Sequence, residues 1–307
     1  MNYLIGIDGG ASKTNCVITD LNLNIVHKCT GGPSNFLVGG IDESVNIILN
    51  LIDTCAEKLM IDYNDVGAIV LGIAGAGREE SAEYFKERIL RQAGKLRNSL
   101  KSLCVVSDAR IALEGAFSGN AGCVFIAGTG SILLCKDSSG EIHRVGGYGR
   151  VIGDEGSGYS IGRKGLNAMA KSYDGRCLKT MLEKIFEEKF DVKNTDSLIE
   201  AVYSKNMDIA SIVPLVINCA EKNDEVCLNI LEEECEEIIL HIRAALAKTK
   251  EPALKLCLVG GLVENENFYS VLLREKISKA LPEVEIQAPQ YPPEIGAVLI
   301  AKKKLCQ

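Results

Sequence analysis

Two short glycine turns carry the residues of this sequence that could bind phosphate. The first follows Asp8 and brings together glycines and side-chain donors, namely Gly9, Gly10, Ser12, Lys13 and Thr14. Glycine lets backbone N–H groups approach phosphate oxygens, and the hydroxyl and ammonium groups add donors. A P-loop is excluded, because Ser12 replaces its glycine before Lys13 and because a strand is predicted to follow. A plain glycine hairpin with a solvated aspartate is the alternative interpretation.

The second glycine turn follows another predicted strand. Its candidate phosphate ligands are Gly128, Thr129, Gly130 and Ser131. No GxGxxG motif occurs in the sequence, which excludes a Rossmann dinucleotide fingerprint. Two such turns contributed by two domains could clamp a polyphosphate between them. Asp8 would then hold Mg²⁺, usually through water, because Mg²⁺ keeps part of its hydration shell.

Two further glycine segments could bring backbone against a ligand. Residues 146–158 contain six glycines among thirteen residues, together with Asp154 and Glu155, one of which could bind sugar hydroxyls. Gly260 and Gly261 follow a predicted strand, where they would let a flat ring lie against the backbone. The alternative for residues 146–158 is a plain linker. The alternative for Gly260 and Gly261 is close packing of a strand against a helix.

Two polar residues are candidates for contacts with a reacting hydroxyl. Asp108 ends a buried strand and begins a helix, where it could be the general base that orients a phosphoryl acceptor and takes its proton. A helix N-cap is its structural alternative. Asn35 lies in a strand–helix loop and can donate and accept, although it could also be a turn residue. The three histidines lack an HExxH motif and are interpreted as surface or edge residues.

Hydrophobic patterning places these residues at strand ends in two α/β units. In the first unit we predict strands at 3–8, 14–20, 23–30, 66–73 and 103–107, with helices at 41–60 and 79–94. The second unit repeats the opening of strand, glycine turn and two further strands at 122–127, 130–136 and 141–145. We interpret this repetition as an internal duplication. Strands that alternate with helices indicate parallel sheets covered on both faces.

The predicted domain boundary falls at the glycine-bearing joint after residue 116. Residues 1–116 form the N-terminal domain, and residues 117–307 form a C-terminal domain with a helical insertion at about 157–250. The second domain closes with strands at 254–259 and 284–287 and helices at 266–280 and 294–304.

Composition excludes several classes of protein. The net charge of −7 argues against nucleic-acid binding, and no apolar run reaches the ~18 residues that span a membrane. The N-terminus lacks the features of a signal peptide. Twelve cysteines without any CxxC spacing give no zinc-ribbon, thioredoxin or clustered iron–sulfur signature. We therefore interpret most of them as core residues of a cytoplasmic protein.

Five segments in register carry a resemblance that covers nearly the whole chain. They are IGIDGGASKTNCVITD at the N-terminus, SDA at 107–109, IAGTGS at 126–131, GGYGRVIGDEGSGYSIG at 146–162 and LVGGL at 258–262. Together they resemble the BadF/BadG/BcrA/BcrD ATPase family, and within it the N-acetylglucosamine kinases and related bacterial amino-sugar kinases. The resemblance implies two ribonuclease H-like domains of the actin and hexokinase type with an interdomain cleft. It also implies ATP and Mg²⁺ as cofactors and a homodimer.

The resemblance also implies roles for individual residues. Ser12 and Thr129 would contact the ATP phosphates, Asp8 would lie near the metal, and Asp108 would be the catalytic base that contacts the substrate. The adenosine would be flanked by Ala220, Gly260 and Gly261. The sugar would be bound by Asn35, Gly147, Tyr148, Gly149 and Asp154.

The expected activity is ATP-dependent phosphorylation of an amino sugar at its 6-hydroxyl. N-acetylglucosamine is the first candidate, and N-acetylmuramic acid and glucosamine are others. One alternative is an ATP-hydrolysing activator of a 2-hydroxyacyl-CoA dehydratase, whose iron–sulfur cysteines lie in glycine turns; residues 126–131 and 146–158 contain no cysteine here. The others are a sugar kinase of the repressor–open-reading-frame–kinase (ROK) type, whose zinc motif is absent, and a non-enzymatic nucleotide-gated module.

Overall fold

The chain folds into two α/β units, seen in a computed structural model that describes residues 2–10, 12–95, 100 and 102–306. Unit 1 comprises Met1–Gly122 and Ala288–Gln307, and unit 2 comprises Cys123–Gln287. Each unit has a five-stranded sheet with helices packed against it. This confirms the predicted class of a two-unit α/β fold.

The sheet of unit 1 has the order β3-β2-β1-β4-β5. Its strands are β1 (Tyr3–Gly9), β2 (Thr14–Asp20), β3 (Ile25–Gly31), β4 (Val66–Ile73) and β5 (Leu103–Ser107). Strands β1 to β3 form an antiparallel meander, whereas β4 and β5 run parallel to β1. All eight residues of β4 are buried, because helices cover both faces of the sheet at its centre.

The helices of unit 1 lie on the two faces of this sheet. They are α1 (Phe36–Gly39), α2 (Ile41–Leu59), α3 (Glu79–Lys95), α4 (Asp108–Ala116) and α11 (Pro293–Leu305), and a 3₁₀ turn covers Tyr63–Asp65. Ile5, Ile7 and Leu71 belong to the core under α2 and α3. Leu4, Val70 and Val298 belong to the core under α4 and α11, on the opposite face.

The last twenty residues correct the predicted domain boundary. Sequence reasoning assigned them to a second domain beginning at residue 117, but the structure assigns Ala288–Gln307 and the chain up to Gly122 to unit 1. The reason is that α11 packs against α4, β1 and β4. A Cβ atom on Gly296 would overlap the Ile111 carbonyl oxygen, so only glycine allows α11 to approach α4 this closely.

The sheet of unit 2 repeats the order of the first as β10-β9-β6-β7-β8. Its strands are β6 (Gly122–Ala127), β7 (Ser131–Lys136), β8 (Ile142–Val145), β9 (Leu254–Val259) and β10 (Val284–Ile286). The predicted duplication is therefore present in the topology. The sheets are mixed rather than parallel, because the short turns after β1 and β2 can join only antiparallel neighbours.

The helices of unit 2 fall in and after the predicted helical region. They are α5 (Gly158–Tyr173), α6 (Met181–Phe190), α7 (Thr195–Ile199), α8 (Val213–Glu221), α9 (Glu225–Thr249) and α10 (Phe268–Ala280). A π turn at Glu200–Ser204 and a 3₁₀ turn at Ile209–Ile212 lie between α7 and α8. Among the described residues, no helix has the length and apolar character needed to cross a membrane.

The cysteines are mostly core residues, as their apolar neighbours in the sequence predict. Free Cys219, Cys235 and Cys257 are buried in unit 2. Cys123 of β6 and Cys135 of β7 form a disulfide between neighbouring strands, which sequence reasoning did not predict. The twelve-residue spacing of this pair is not a motif, so only the strand pairing brings the two sulfur atoms together.

Candidate active site

The first glycine turn presents two free donors at the end of β1. The Gly10 N–H donates to the Lys13 carbonyl over 3.0 Å and closes the hairpin. The side chains of Ser12 and Lys13 are exposed, so they are available to an anionic ligand. Ala11, between them and the glycines, lies outside the described residues. These positions agree with the predicted phosphate-binding turn.

Thr14 has a different role from the one expected of it. Its hydroxyl is buried, donates to the Gly32 carbonyl over 2.6 Å and lies 2.8 Å from the Ser34 hydroxyl. The Ser34 N–H in turn donates to the Gly10 carbonyl over 3.1 Å. The Thr14 side chain therefore fixes the loop before Asn35 against the glycine turn, and it does not point outward as a phosphate donor.

Asn35 is placed by this loop at the start of α1. Its side-chain oxygen accepts from the Leu37 N–H over 3.1 Å and caps the short helix. The side-chain oxygen of Asn35 therefore has the structural role that the turn-residue interpretation gives to the whole residue. The amino group of the same carboxamide is the part that could donate to a ligand.

Three carboxylates of unit 1 influence one another at the end of its sheet. Burial, Glu294 and Asp108, in that order of effect, raise the pKa of Asp8 to about 7, while Lys13 opposes them. Asp8 lies near the end of β1, Asp108 begins α4, and Glu294 lies in the first turn of α11. Sequence reasoning missed Glu294, because nothing local marks a helix that returns from the other end of the chain.

Asp108 is not the N-cap of α4. Ser107 takes that role, since its hydroxyl accepts from the Arg110 N–H over 3.2 Å. Asp108 accepts from the Ala109 N–H over 2.8 Å, and burial raises its pKa. The N-cap alternative for Asp108 is therefore wrong. A carboxylate with a raised pKa is a stronger base, and the role of Asp108 as general base stays a prediction.

The second glycine turn is joined to the N-terminus of α5. The Gly128 N–H donates to the Gly130 carbonyl over 2.9 Å, and the N–H groups of Gly158 and Tyr159 donate to the carbonyls of Gly128 and Thr129. The Thr129 side chain is exposed. This turn therefore offers backbone and a free hydroxyl to a ligand.

Ser131 repeats in unit 2 the arrangement of Thr14 in unit 1. Each is the first residue of the strand after a glycine turn, and each has a buried side chain. The Ser131 hydroxyl donates to the Glu155 carbonyl over 2.6 Å, so it anchors the glycine-rich loop 146–158. Its predicted phosphate contact is therefore replaced by a positioning role.

Asp154 shapes the glycine-rich loop from within. It adopts a left-handed backbone with φ of 60°, and its carboxylate accepts from the Gly149 N–H over 3.0 Å. Burial, the largest effect, raises its pKa. A Cβ atom on Gly130 would lie 2.7 Å from the other carboxylate oxygen, so the loop and the second turn meet at Asp154. The Ser131 N–H is a second backbone donor to this carboxylate, so a ligand hydroxyl could use only the acceptor capacity that these two bonds leave.

The predicted sugar-contacting segment 147–149 faces solvent beside Asp154. Gly147 and Gly149 have φ of 69° and 87°, a backbone that favours glycine. The ring of Tyr148 is 64% exposed, and the Arg144 guanidinium lies 5.5 Å from its centre. Arg144 also donates to the carbonyls of Gly146 and Gly147, which fixes the start of the loop.

Glu234 of α9 supports the end of the same loop, and sequence reasoning did not identify it. It is 1% exposed and accepts from the Gly156 N–H and from the Ser160 hydroxyl, the latter over 2.6 Å. The Lys164 ammonium lies 3.1 Å from it. A buried carboxylate needs such partners, so this group holds loop and helix together.

A cavity of about 440 Å³ lies beside the second glycine turn in unit 2. The turn and the segment after β9 contribute Gly128, Thr129, Gly261 and Leu262. One wall is a stripe of helix α8, formed by Val213, Pro214, Ile217, Asn218 and Glu221. The apolar wall beside exposed backbone has the character of a site for a flat, mostly apolar ring.

Two of the predicted adenosine neighbours lie beside this cavity without lining it. Ala220 is 2% exposed and belongs to the core of unit 2, because it lies on the other face of α8. Gly260 has φ of 101°, and a Cβ atom there would overlap the Ala127 carbonyl oxygen. Gly260 therefore has a packing role, but it allows the close passage of two strand ends rather than the strand–helix packing of the alternative, while Gly261 lines the cavity.

The fold and these turns define an ATPase-type α/β protein with a duplicated sheet. The chain belongs to the BadF/BadG/BcrA/BcrD ATPase family, whose model matches residues 5–301. This confirms the resemblance seen in the sequence motifs. Membership of an ATPase family implies the use of ATP.

The similar proteins are sugar kinases by name. The chain is 34% identical to an N-acetylmuramic acid/N-acetylglucosamine kinase of Clostridium acetobutylicum, over 99% of both chains. It is 31% identical to an N-acetyl-D-glucosamine kinase of Dictyostelium discoideum, over 97% of both. A crystal structure assigned as an N-acetylglucosamine kinase, from Chromobacterium violaceum, has the same fold with a TM-score of 0.76 at 23% identity, covering 98% of this chain and 99% of the other.

The two hydroxyls of the second turn generate a prediction. Replacing Ser131 by Ala removes the donor to the Glu155 carbonyl, so we expect the free energy of unfolding to fall by about 1–2 kcal/mol. Thr129→Ala is the matched control, because its exposed side chain should change stability by less than about 0.5 kcal/mol. Urea unfolding of both variants measures the difference. Equal stabilities would show that the buried hydroxyl does not anchor the loop.

Proposed function

We propose that this protein transfers the γ-phosphoryl group of ATP to the 6-hydroxyl of an amino sugar, with N-acetylglucosamine as the first candidate. The observation that carries the proposal is the half-buried carboxylate of Asp108 at the end of the unit 1 sheet, near Asp8 and the exposed donors of the first glycine turn. The names of the similar proteins support the sugar class.

The cavity of unit 2 is suited to the adenosine of ATP. Ile217, Pro214 and Leu262 offer apolar surface to the base, and Gly261 lets the ring approach the backbone. Asn218 and Glu221 at the same wall supply polar groups for the ribose or the base edge. Thr129 at the other end of the cavity marks the direction in which the phosphates would leave it.

The phosphates would be bound by the exposed groups of the two glycine turns. In unit 1 these are the Lys13 ammonium and the Ser12 hydroxyl, and in unit 2 the Thr129 hydroxyl and the backbone N–H of Gly130, since the Gly128 N–H already donates to the Gly130 carbonyl. The ammonium compensates phosphate charge, and the backbone N–H group adds a donor at no cost in side-chain entropy.

The sugar would be bound by groups that the loops leave free. Asn35 offers its amino group, and Asp154 offers the acceptor capacity that its bonds from Gly149 and Ser131 leave. The exposed backbone of Gly147–Gly149 and the Tyr148 ring lie beside Asp154. These groups can donate to, accept from and cover the apolar face of a pyranose.

The acidic residues at the end of the unit 1 sheet could hold a divalent cation. Asp8, Asp108 and Glu294 carry carboxylate oxygens, which are the ligands that Mg²⁺ prefers, and burial, Glu294 and Asp108, in that order of effect, raise the pKa of Asp8. We propose that Asp8 holds the ion, with Glu294 beside it. When bound, Mg²⁺ would neutralise charge that develops on the transferring phosphoryl group.

Asp108 would supply the acid–base part of the reaction. Its carboxylate would accept a hydrogen bond from the sugar 6-hydroxyl, orient that oxygen toward the γ-phosphorus and take its proton as the new O–P bond forms. The leaving group is ADP. Most of the rate enhancement would come from positioning, because phosphoryl transfer requires little covalent assistance from the protein.

The proposed activity can be tested with a panel of acceptors. We expect ADP formation that depends on added sugar, with the highest kcat/KM for N-acetylglucosamine among N-acetylglucosamine, N-acetylmuramic acid, glucosamine and glucose. Mass spectrometry and NMR of the product should show a phosphate ester on C6. ATP hydrolysis at a rate that no sugar stimulates would contradict the proposal.

A second prediction concerns the base. Asp108→Asn should lower kcat by roughly 10²–10⁴-fold with the KM for ATP nearly unchanged, because the amide cannot accept the proton. Asp42→Asn is the matched control, since Asp42 is an acidic residue in the first turn of another unit 1 helix and its side chain is 76% exposed. Circular dichroism checks that both variants fold. Near-normal turnover of Asp108→Asn would exclude the assigned base.

A third prediction follows from the pKa of Asp8 near 7. The folded-state pKa is raised, so the group becomes protonated as the pH falls through 7 and must then lose a proton to bind Mg²⁺. The apparent affinity for Mg²⁺ should therefore fall roughly tenfold from pH 8 to pH 6. Glu294→Gln removes one of the repelling charges and should move the midpoint to lower pH. The midpoint of this pH dependence is measured by titrating the reaction rate with Mg²⁺ at several pH values. An unchanged midpoint in Glu294→Gln would contradict the electrostatic effect of Glu294 on Asp8.

A further inference from the structure

Three cysteines of unit 1 meet at one point between the sheet and α2. Cys16 of β2 and Cys29 of β3 are directly paired across the antiparallel strands. Cys55 of α2 lies over them, with its Sγ 3.7 Å from that of Cys16 and 2.9 Å from that of Cys29. All three Sγ atoms lie within 4.8 Å of one another.

We propose that Cys16, Cys29 and Cys55 form a three-sulfur binding site for a monovalent copper ion. Sulfur atoms around an ion at a metal–sulfur distance of about 2.3 Å lie about 4 Å apart when the three ligands and the ion share a plane. The observed separations require only small side-chain rotations to reach this arrangement. The site does not depend on the proposed kinase function.

The number and type of ligands favour Cu(I) over Zn²⁺. Thiolates are soft ligands that select Cu(I), zinc and iron–sulfur clusters. Structural zinc sites are closed by four ligands, whereas this group, among the residues that the structure describes, contains three sulfur atoms and no imidazole or carboxylate. Cu(I) is satisfied by three sulfurs.

A disulfide explains the cluster less well than a metal site does. A bond between Cys29 and Cys55 would use two of the three sulfur atoms, and Cys16 would remain as a buried thiol beside them. Cys16 and Cys29 lie directly opposite each other on neighbouring strands, and Cys55 approaches the pair from α2, so the three sulfur atoms lie close enough together to share one ion.

The surroundings would protect a bound ion and still allow it to enter. Cys16 and Cys55 are 1% and 0% exposed and belong to the apolar core, while Cys29 is half-buried on the outermost strand.

The test is a competition for Cu(I) between the full-length reduced protein and the coloured chelator bicinchoninate, under anaerobic conditions. A Cys306→Ser background removes the exposed thiol. We expect the protein to withdraw one Cu(I) per chain, and Cys29→Ser to weaken this binding at least tenfold. Cys104→Ser is the matched control, because Cys104 is another half-buried strand cysteine of unit 1, and it should bind as the background protein does.

Two further measurements make the outcome decisive. X-ray absorption of the copper-loaded protein should give three sulfur neighbours at about 2.3 Å. Only two sulfur neighbours around the copper would overturn the proposed three-sulfur site, and so would unchanged copper binding by Cys29→Ser. Either result would indicate another thiol pair, such as Cys219 and Cys227. A protein that withdraws no copper would overturn it as well. Equal melting temperatures of the metal-free variants show that Ser at this half-exposed position leaves the fold intact.

Discussion

The arrangement of both units depends on one hydrogen bond that each sheet repeats. Thr14 and Ser131 open the second strand of their sheets, and their buried hydroxyls donate to the carbonyls of Gly32 and Glu155. A buried hydroxyl without an acceptor costs about 1–3 kcal/mol, so each glycine turn holds the loop beside it in one arrangement. The exposed donors at the tip of each turn can then remain free for a ligand, because the structural bonds are made one or two residues away.

Electrostatics impose a second constraint on unit 1. Its carboxylates gather where β1 ends and where α4 and α11 begin, and their repulsion adds to the desolvation of Asp8. The approach of α11 that brings Glu294 there is possible because Gly296 gives room to the backbone of α4. The packing of the last helix therefore sets part of the electrostatics of the site, since it brings the charge of Glu294 to act on Asp8.

The sequence predicts the parts of this structure that are local. Strand runs, glycine turns and the duplicated opening could be identified because each is encoded within about ten residues. Asp8 and Asp108 are candidates because of their places at strand ends, and Asp154 because of its place in the glycine-rich loop. Glu294 and Glu234 could not be found this way, because helices that return from distant segments bring them to the site. The same limit applies to the cysteines, whose spacing in the chain gives no motif while the pairing of β2 with β3 brings Cys16 and Cys29 together.

In the cavity of unit 2, the face of α8 on which a residue lies decides whether it could contact a ligand. Val213, Ile217 and Glu221 are four residues apart, so they share one face of α8, and that face lines the cavity. Ala220 lies one residue before Glu221 and therefore about a quarter turn away, in the core. A motif can therefore indicate the helix that lines a cavity without identifying the side chains that face it. The periodicity of apolar positions in VPLVINCAE, with Val216 and Ala220 turned inward, is the signal that separates the two faces.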